Sequence, residues 1–292
     1  MIITKGKLAV AVLKLVGCLP LPLLRALGGI MGYCSWYCHS NARRITEINL
    51  RYCLPQLSHR ARQTLGRRSL LHSCIGGLEM AALWRKSKQW TTDKIIATEG
   101  LSLLSDYLKK GERLMLMTPH IGNWEVLNVQ LSQYGQNLSL YKPNALVELD
   151  EWILQARTRV GGQLVPTDVK GIKLLFAALK RGDMACVLPD QVPIDDKSSI
   201  SAPFFGHQAK TMTLIYRFIQ KTHCRVLFVY CKRVPGGFIT VFKEPDQGIY
   251  SDDKLVSVAA LNRSVEQCVL DVPEQYQWQY KRFKEAQTFY HH

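Results

Sequence analysis

Several features that define specialised protein classes are missing from this chain. Its nine cysteines form no C-x-x-C pair, and their odd number gives neither a disulfide framework nor a zinc pattern, so we expect a reducing cytoplasmic setting. No internal repeat or low-complexity tract occurs. A hydrophobic fraction of 47% and a charged fraction of 21% are ordinary for a folded protein, so disorder is not expected.

Acidic residues are scarce relative to basic ones. The chain has 38 Lys and Arg against 23 Asp and Glu, which gives a net charge of +15. Such a surplus favours an anionic partner, which could be a nucleic acid, an anionic membrane, or an acidic protein or substrate. No nucleic-acid recognition motif accompanies the aromatic residues, so we do not expect a nucleic-acid partner.

Residues 1–40 are apolar but lack an uninterrupted run of the about 20 apolar residues that an ideal spanning helix needs. Lys14 and Arg25 interrupt the sequence, and Pro20 and Pro22 break it. The recurring charges and the lack of a clear small-residue cleavage site argue against a cleaved signal peptide. We therefore predict a membrane-anchor segment lying on an anionic surface, with a spanning helix and an ordinary buried helix as alternatives.

The remainder, 41–292, is predicted to form one domain with a helical part, 41–90, and an α/β part, 91–292. In the second part short apolar runs alternate with helical patterns, which predicts a mostly parallel central sheet flanked by helices. The predicted strands are 113–117, 137–141, 163–165, 184–188, 225–229 and 238–242, and the predicted helices are 124–134, 149–160, 168–180, 211–222 and 252–270.

Polar residues follow two of these strands directly. His120, Asn123 and Glu125 come after the first strand, and Asp190 comes after 184–188. Ligands of such sheets bind beyond the carboxyl ends of the strands, so we expect His120, Glu125 and Asp190 to converge on one crevice. Asn123 is predicted to cap the following helix.

His120 and Glu125 suggest base catalysis. Five residues apart on one helix they would lie on different faces, so they can meet only if His120 lies in the turn and Glu125 in the first helical turn. A carboxylate that accepts a hydrogen bond from one imidazole nitrogen fixes the tautomer. The other nitrogen is then free to take a proton from an alcohol. The alternative interpretation is a surface or capping pair.

Arg157 and Arg159 form a second candidate cluster. The planar guanidinium donates two parallel hydrogen bonds to phosphate, although a solvated helix end would also explain the pair. Cys186 and Cys224 are most simply buried small apolar residues. No metal ligand set is evident, so neither a metal nor a cofactor is expected.

The pattern as a whole resembles the bacterial late acyltransferases of lipid A biosynthesis, within the glycerolipid acyltransferase superfamily. HIGNWE is similar to the H-x(4)-D/E motif of that superfamily. The matching stretches are RRITEINLRYCLP at 43–55, GLEM at 77–80, TPHIGNWE at 118–125, YKP at 141–143, RTRVGG at 157–162, LPDQVP at 188–193, APFFGHQAKTMTL at 202–214 and PEQYQWQYKRFK at 273–284.

The resemblance implies an enzyme on the cytoplasmic face of the bacterial inner membrane. Such enzymes take a fatty acyl chain from acyl carrier protein and esterify a hydroxyl of an anionic, Kdo-bearing lipid A precursor. By position, His120 and Glu125 fall on the catalytic dyad, and Arg157 or Arg159 on a substrate-binding arginine. We place Asn123 and Asp190 with the substrate-binding candidates, Asp190 as part of a supporting PDQ element.

Other functions remain open. Relatives in the superfamily acylate other glycolipids or lipoamino acids. A catalytically silent lipid- or acyl-carrier-binding protein could share the fold. A basic nucleic-acid-binding protein would leave the apolar first residues unexplained, and a metal hydrolase would lack a third nearby ligand.

Overall fold

A computed structural model describes residues 4–193, 196–284 and 290. The first part of the chain is helical, as predicted for 41–90. Its helices are α1 (Lys5–Val16), α2 (Leu21–Tyr37), α3 (Asn41–Cys53), α4 (His59–Arg85) and α5 (Lys88–Thr92). Serine side chains begin three of them, because the hydroxyls of Ser40, Ser58 and Ser87 accept hydrogen bonds from amides of the first turn.

The second part is a mixed α/β unit built on a seven-stranded sheet. The sheet strands are β1 (Ile95–Glu99), β2 (Leu114–Met117), β3 (Asn137–Tyr141), β4 (Gly162–Pro166), β5 (Met184–Val187), β8 (Arg225–Val234) and β9 (Gly237–Lys243), and β6 (Ser199–Phe204) pairs separately with β7 (His207–Met212). The order across the sheet is β1-β9-β8-β2-β5-β3-β4. β8, β2, β5, β3 and β4 are parallel, whereas β9 and β1 run the other way. The predicted mostly parallel sheet is therefore confirmed.

Helices cover both faces of this sheet. They are α6 (Leu101–Lys109), α7 (Glu125–Leu131), α8 (Val147–Arg159), α9 (Val169–Arg181), α10 (Leu214–Thr222) and α11 (Lys254–Asp271). All four residues of β2 are buried, and alternate ones join two different apolar clusters: Met115 and Met117 one, Leu114 and Leu116 the other. A strand buried on both faces reads as a continuous apolar run, which is why β2 and β5 could be recognised.

The predicted helix over 211–222 begins three residues late. Thr211 and Met212 pair with Ile200 and Ser199 in the β6–β7 hairpin. Its turn places Phe205 and Gly206 at positive φ, of 47° and 77°. Cross-strand pairing thus prevails over the helical spacing, which continues only from Leu214.

Helix α2 packs tightly along α4. A Cβ atom at Gly28 would lie 2.6 Å from Cα of Ile75, and one at Gly32 would lie 2.5 Å from Cα of Leu71. The two glycines therefore allow close approach of the helix backbones. Leu24 and Trp36 are buried along the same face of α2. Residues 21–37 thus contribute to the packed structure of the protein.

The other face of the first two helices is apolar and exposed. In α1 the exposed residues recur at helical spacing, with Leu8, Val12 and Leu15 exposed by 57%, 51% and 73%. In α2 they are Leu23, Leu27, Ile30, Met31, Tyr33 and Tyr37. We call these nine residues the apolar face. Within the described ranges, no helix has the length and hydropathy needed to span a bilayer.

Candidate active site

The turn after β2 places His120 at the carboxyl edge of the sheet. β2 pairs in parallel with β5, with Met117 opposite Val187, so the residues that follow each strand meet at the same edge. The backbone amide of His120 donates to Oδ2 of Asp190 at 3.0 Å, and Nδ1 of its ring lies 2.7 Å from Oδ1 of the same carboxylate. The predicted convergence of His120 and Asp190 is confirmed.

Asp190 is the carboxylate that orients the imidazole. Its side chain is 2% exposed. Burial favours the neutral acid, but the electrostatic interaction and hydrogen bonds with His120 prevail and lower the pKa of Asp190. An ionised Asp190 accepts a hydrogen bond from Nδ1–H, which leaves Nε2 of His120 with a lone pair directed away from the carboxylate.

The expected hydrogen bond between His120 and Glu125 is replaced by another pair. Glu125 is the first residue of α7, and its carboxylate accepts hydrogen bonds from Arg157, at the end of α8, through Nε at 3.0 Å and also through Nη2. Asn128 donates to the same carboxylate. Among the described contacts of Glu125 none involves His120. The imidazole is bound instead by Asp190, which follows the neighbouring strand β5.

The pair of Arg157 and Glu125 is largely shielded from water. The side chain of Arg157 is 19% exposed and that of Glu125 is 2% exposed. Burial alone would disfavour the guanidinium cation, but the charge and hydrogen bonds of Glu125 prevail and raise the pKa of Arg157. The guanidinium is therefore a fixed cation in the site.

The turn itself depends on Gly122. Its φ is +63°, and a Cβ atom built there would lie 1.8 Å from the carbonyl oxygen of Cys231 in β8. The amide of Gly122 donates to Gln275, and the next amide donates to Cys231. These contacts hold the segment between His120 and Glu125 against β8, so Gly122 serves close packing against that strand.

Asn123 and Arg159 are occupied by structural contacts. Asn123 is fully buried, its amide donates to Glu79, and its Oδ1 accepts from the amide of Glu125 at 3.3 Å. The N-cap of α7 is Trp124, one residue after the predicted Asn123, and the helix begins at Glu125. Arg159 donates to the carbonyls of Trp84 and Lys86 at the end of α4. A cavity lies beside the imidazole of His120. Among the described residues, Arg157 lines this cavity, whereas Asn123 and Arg159 do not.

A large cavity opens beside the imidazole. Its volume is about 1190 Å³, above the about 300–1,000 Å³ that is usual for one small ligand. His120, Glu125 and Arg157 line it. Much of the nearby wall is apolar and comes from Leu127, Leu131, Leu140, Leu164 and Val187. The cavity therefore combines an imidazole, a fixed cation and an apolar wall.

The family model of bacterial lipid A biosynthesis acyltransferases matches residues 3–285. The chain belongs to this family. It is 28% identical over 284 residues to the lipid A biosynthesis lauroyltransferase of Escherichia coli (strain K12), covering 95% of this chain and 90% of that protein. It is 25% identical over 270 residues to a lipid A biosynthesis palmitoleoyltransferase of the same organism, covering 91% and 86%. A lipid A biosynthesis acyltransferase of Haemophilus influenzae is 24% identical over 277 residues, covering 93% and 85%.

In this family member, two residues that sequence reasoning left out of the site also contact the imidazole. The side-chain amide of Gln191 lies 3.2 Å from Nε2 of His120 and donates to Oε1 of Gln277 at 3.1 Å. Because Nε2 carries the lone pair, Gln191 is the donor in the first contact. The ring of Trp124 packs edge-on against the imidazole, with centroids 4.8 Å apart. Gln191 adjoins the predicted Asp190, so its proximity could have been inferred.

A buried ion cluster supports the turn from behind. Glu79 of α4 is fully buried and accepts from Arg233 of β8 at 2.7 and 2.9 Å and from Arg25 of α2 at 2.7 Å. Burial opposes ionisation of this carboxyl, but the two arginines prevail and lower the pKa of Glu79. Arg25, which interrupts the apolar first segment of the sequence, also donates to the carbonyls of Val234 and Gly237. The GLEM stretch, which contains Glu79, was recognised in the sequence, but the two arginines that pair with Glu79 are distant from it along the chain.

Proposed function

We propose that the protein transfers a fatty acyl chain from acyl carrier protein to a hydroxyl of a Kdo-bearing lipid A precursor. The observation that carries the proposal is the pair of His120 and Asp190 at the carboxyl edge of the sheet, beside an apolar-walled cavity. Membership of the family and the substrates named for its relatives support the choice of reaction.

His120 is the proposed general base. Nε2 of its ring takes the proton of the acceptor hydroxyl, and the oxygen attacks the thioester carbonyl carbon to form a tetrahedral oxyanion. Collapse of this intermediate breaks the carbon–sulfur bond. The imidazolium then returns its proton to the leaving thiolate, so no acyl-enzyme is required.

Glu125 has a revised catalytic role in this proposal. Its carboxylate holds Arg157, whose guanidinium faces the cavity where the oxyanion develops. A pre-oriented cation stabilises such a charge without reorganisation. Between the two arginines left open by the sequence, the geometry favours Arg157 as the one that contacts substrate.

Membrane association is part of the proposed function. We infer that the apolar face of α1 and α2 lies in the cytoplasmic surface of the bacterial inner membrane. Lys5, Lys7 and Lys14 are exposed on α1 and suit anionic headgroups. Interfacial attachment would present the cavity to a lipid acceptor without a spanning segment.

The direct test is acyl transfer by purified protein. The assay supplies acyl carrier protein loaded with labelled lauroyl or palmitoleoyl chains, together with the lipid A precursor, and lipid products are resolved by mass spectrometry. We expect His120→Ala and Asp190→Asn to lower kcat by about 10²–10⁴-fold, because the base is removed or its tautomer is lost. Arg159→Gln is the control and should keep its rate within about twofold, because its contacts are distant exposed carbonyls.

Three results would contradict the proposal. Full activity of His120→Ala would remove the mechanism. Labelled product on another glycolipid or a lipoamino acid, and none on the precursor, would change the acceptor. Binding of loaded acyl carrier protein with no product on any of these lipids would instead favour a silent binding protein.

A further inference from the structure

The cavity continues past the imidazole into a groove between α9 and α10. Each helix contributes a stripe of residues spaced i, i+3, i+4 and i+7, which is one face of an α-helix. From α9 these are Val169, Ile172, Lys173 and Phe176. From α10 they are Leu214, Arg217, Phe218 and Lys221. We call the space between the two stripes the α9–α10 groove.

The floor of the groove is apolar. The rings of Phe176 and Phe218 are in contact, with centroids 5.7 Å apart. Phe218 is buried, and Ile172 and Leu214 are half-buried beside the rings. Such a floor accepts a hydrocarbon chain, since removing apolar surface from water is favourable.

The rim of the groove is cationic. Lys173, Arg217 and Lys221 are exposed, and within the described ranges no carboxylate is recorded at ion-pair distance from any of them. Among the described residues that line the cavity, eight carry a full charge, and six of these are basic and two are acidic. One of the two, Glu125, is paired with Arg157. The other, Asp168, caps α9 by accepting from the amide of Gly171.

An apolar floor below a cationic rim matches one kind of molecule, an acidic lipid. We propose that the α9–α10 groove binds the acceptor, with a hydrocarbon chain on Ile172, Phe176 and Phe218 and a phosphate group at Lys173, Arg217 and Lys221. This rests on the proposed function for the identity of the acceptor. The volume of the cavity is consistent with a site that also holds the acyl donor near His120.

Phosphate recognition at the rim has a consequence that binding alone can test. The full-length protein in detergent micelles is titrated with labelled lipid A precursor and with the same precursor after phosphatase treatment. The variant Lys173→Gln/Arg217→Gln/Lys221→Gln is compared with Lys109→Gln/Lys170→Gln/Lys254→Gln, which removes three positive charges from exposed positions outside the cavity lining.

We expect the groove variant to bind the phosphorylated precursor at least about tenfold more weakly, because charge-assisted hydrogen bonds to phosphate are lost. Binding of the dephosphorylated precursor should be unchanged, and the control variant should behave like the wild type. In turnover assays the groove variant should raise the KM for the precursor and leave kcat within about twofold, because His120 and Arg157 are intact.

Three outcomes would overturn the proposal. The groove variant could still prefer the phosphorylated probe, or both variants could weaken binding equally, which would reveal a net-charge effect. A raised KM for loaded acyl carrier protein, with precursor binding unchanged, would place the donor in the groove. If the wild-type protein binds the precursor in a phosphate-dependent way that needs the groove residues, but no acyl transfer is detected, the proposed function is contradicted and this inference stands.

Discussion

His120 is held by contacts on both ring nitrogens. Asp190 accepts from Nδ1, Gln191 donates to Nε2, and Trp124 packs against the ring. The hydrogen bond from Gln191 occupies the lone pair that a general base needs. In the proposed mechanism, an acceptor hydroxyl must therefore displace the amide of Gln191 before its proton can move, and Gln277 is positioned to hold the displaced amide.

Replacing Gln191 should change the pH dependence of the reaction. In Gln191→Glu, a carboxylate near Nε2 favours the imidazolium, which cannot act as a base. The acid limb of the kcat/KM profile should therefore move to higher pH by about one unit, since an opposite charge at this distance shifts a titration by about 1–3 units. The measurement is the initial rate of acyl transfer between pH 5 and 9.

The control for this prediction is Gln191→Met, which removes the donor without adding charge. It should alter the rate and leave the acid limb in place. A limb that moves equally in both variants, or in neither, would show that Gln191 does not contact the base in the working enzyme.

At the scale of the elements, the buried Glu79 connects α2, α4 and β8. Glu79→Gln leaves Arg25 and Arg233 without a compensating charge, which should lower the free energy of unfolding by about 3–5 kcal/mol. Denaturant unfolding of the purified protein at pH 7 measures it. Glu47→Gln is the control, because Glu47 is 36% exposed and pairs within one helix, and it should change stability by less than about 1 kcal/mol.

The same carboxyl gives this effect a pH dependence. Because the pKa of Glu79 is lowered by folding, its contribution is present above the unfolded value of 4.5 and is lost as the pH falls through the folded value. The difference in stability between wild type and Glu79→Gln should therefore shrink only under strongly acidic conditions. A difference that is already absent at pH 6 would contradict this assignment.

The apolar face of the first two helices should determine membrane binding. Replacing Leu8, Val12 and Leu15 by Gln should weaken binding to anionic phospholipid vesicles by at least about tenfold, because each apolar side chain buried in lipid contributes about 1.5–3 kcal/mol. Vesicle co-sedimentation measures the change. The matched control replaces Leu255, Val256 and Leu270, which are exposed by 53%, 45% and 54% on α11, and should leave binding unchanged.

At the scale of the whole molecule, the sequence predicts those structural features that depend on residues close together along the chain. The buried runs of β2 and β5 identify the central strands, and the parallel-sheet rule then brings His120 to Asp190. Asp168 and Gly182 define the ends of α9, where a capping carboxylate and a left-handed residue are found. Strand β1 escapes detection because as an edge strand it is largely exposed and lacks apolar alternation.

Contacts between distant residues could not be predicted in this way. Glu79 meets Arg233 across 154 positions, and Glu125 meets Arg157 across 32. Neither spacing carries a periodic signal, so the sequence suggested a partnership between His120 and Glu125 from proximity along the chain. The structure instead brings each of them to a residue supplied by another crossover of the sheet.

The contact of Gly122 with β8 has an evolutionary consequence. With 1.8 Å between a hypothetical Cβ and the carbonyl oxygen of Cys231, and with φ at +63°, every other amino acid is excluded there unless the strand itself shifts. A missense change in that codon should therefore disturb the turn that holds His120 and Glu125 against β8. We therefore expect substitutions to accumulate at positions around Gly122 but not at Gly122 itself.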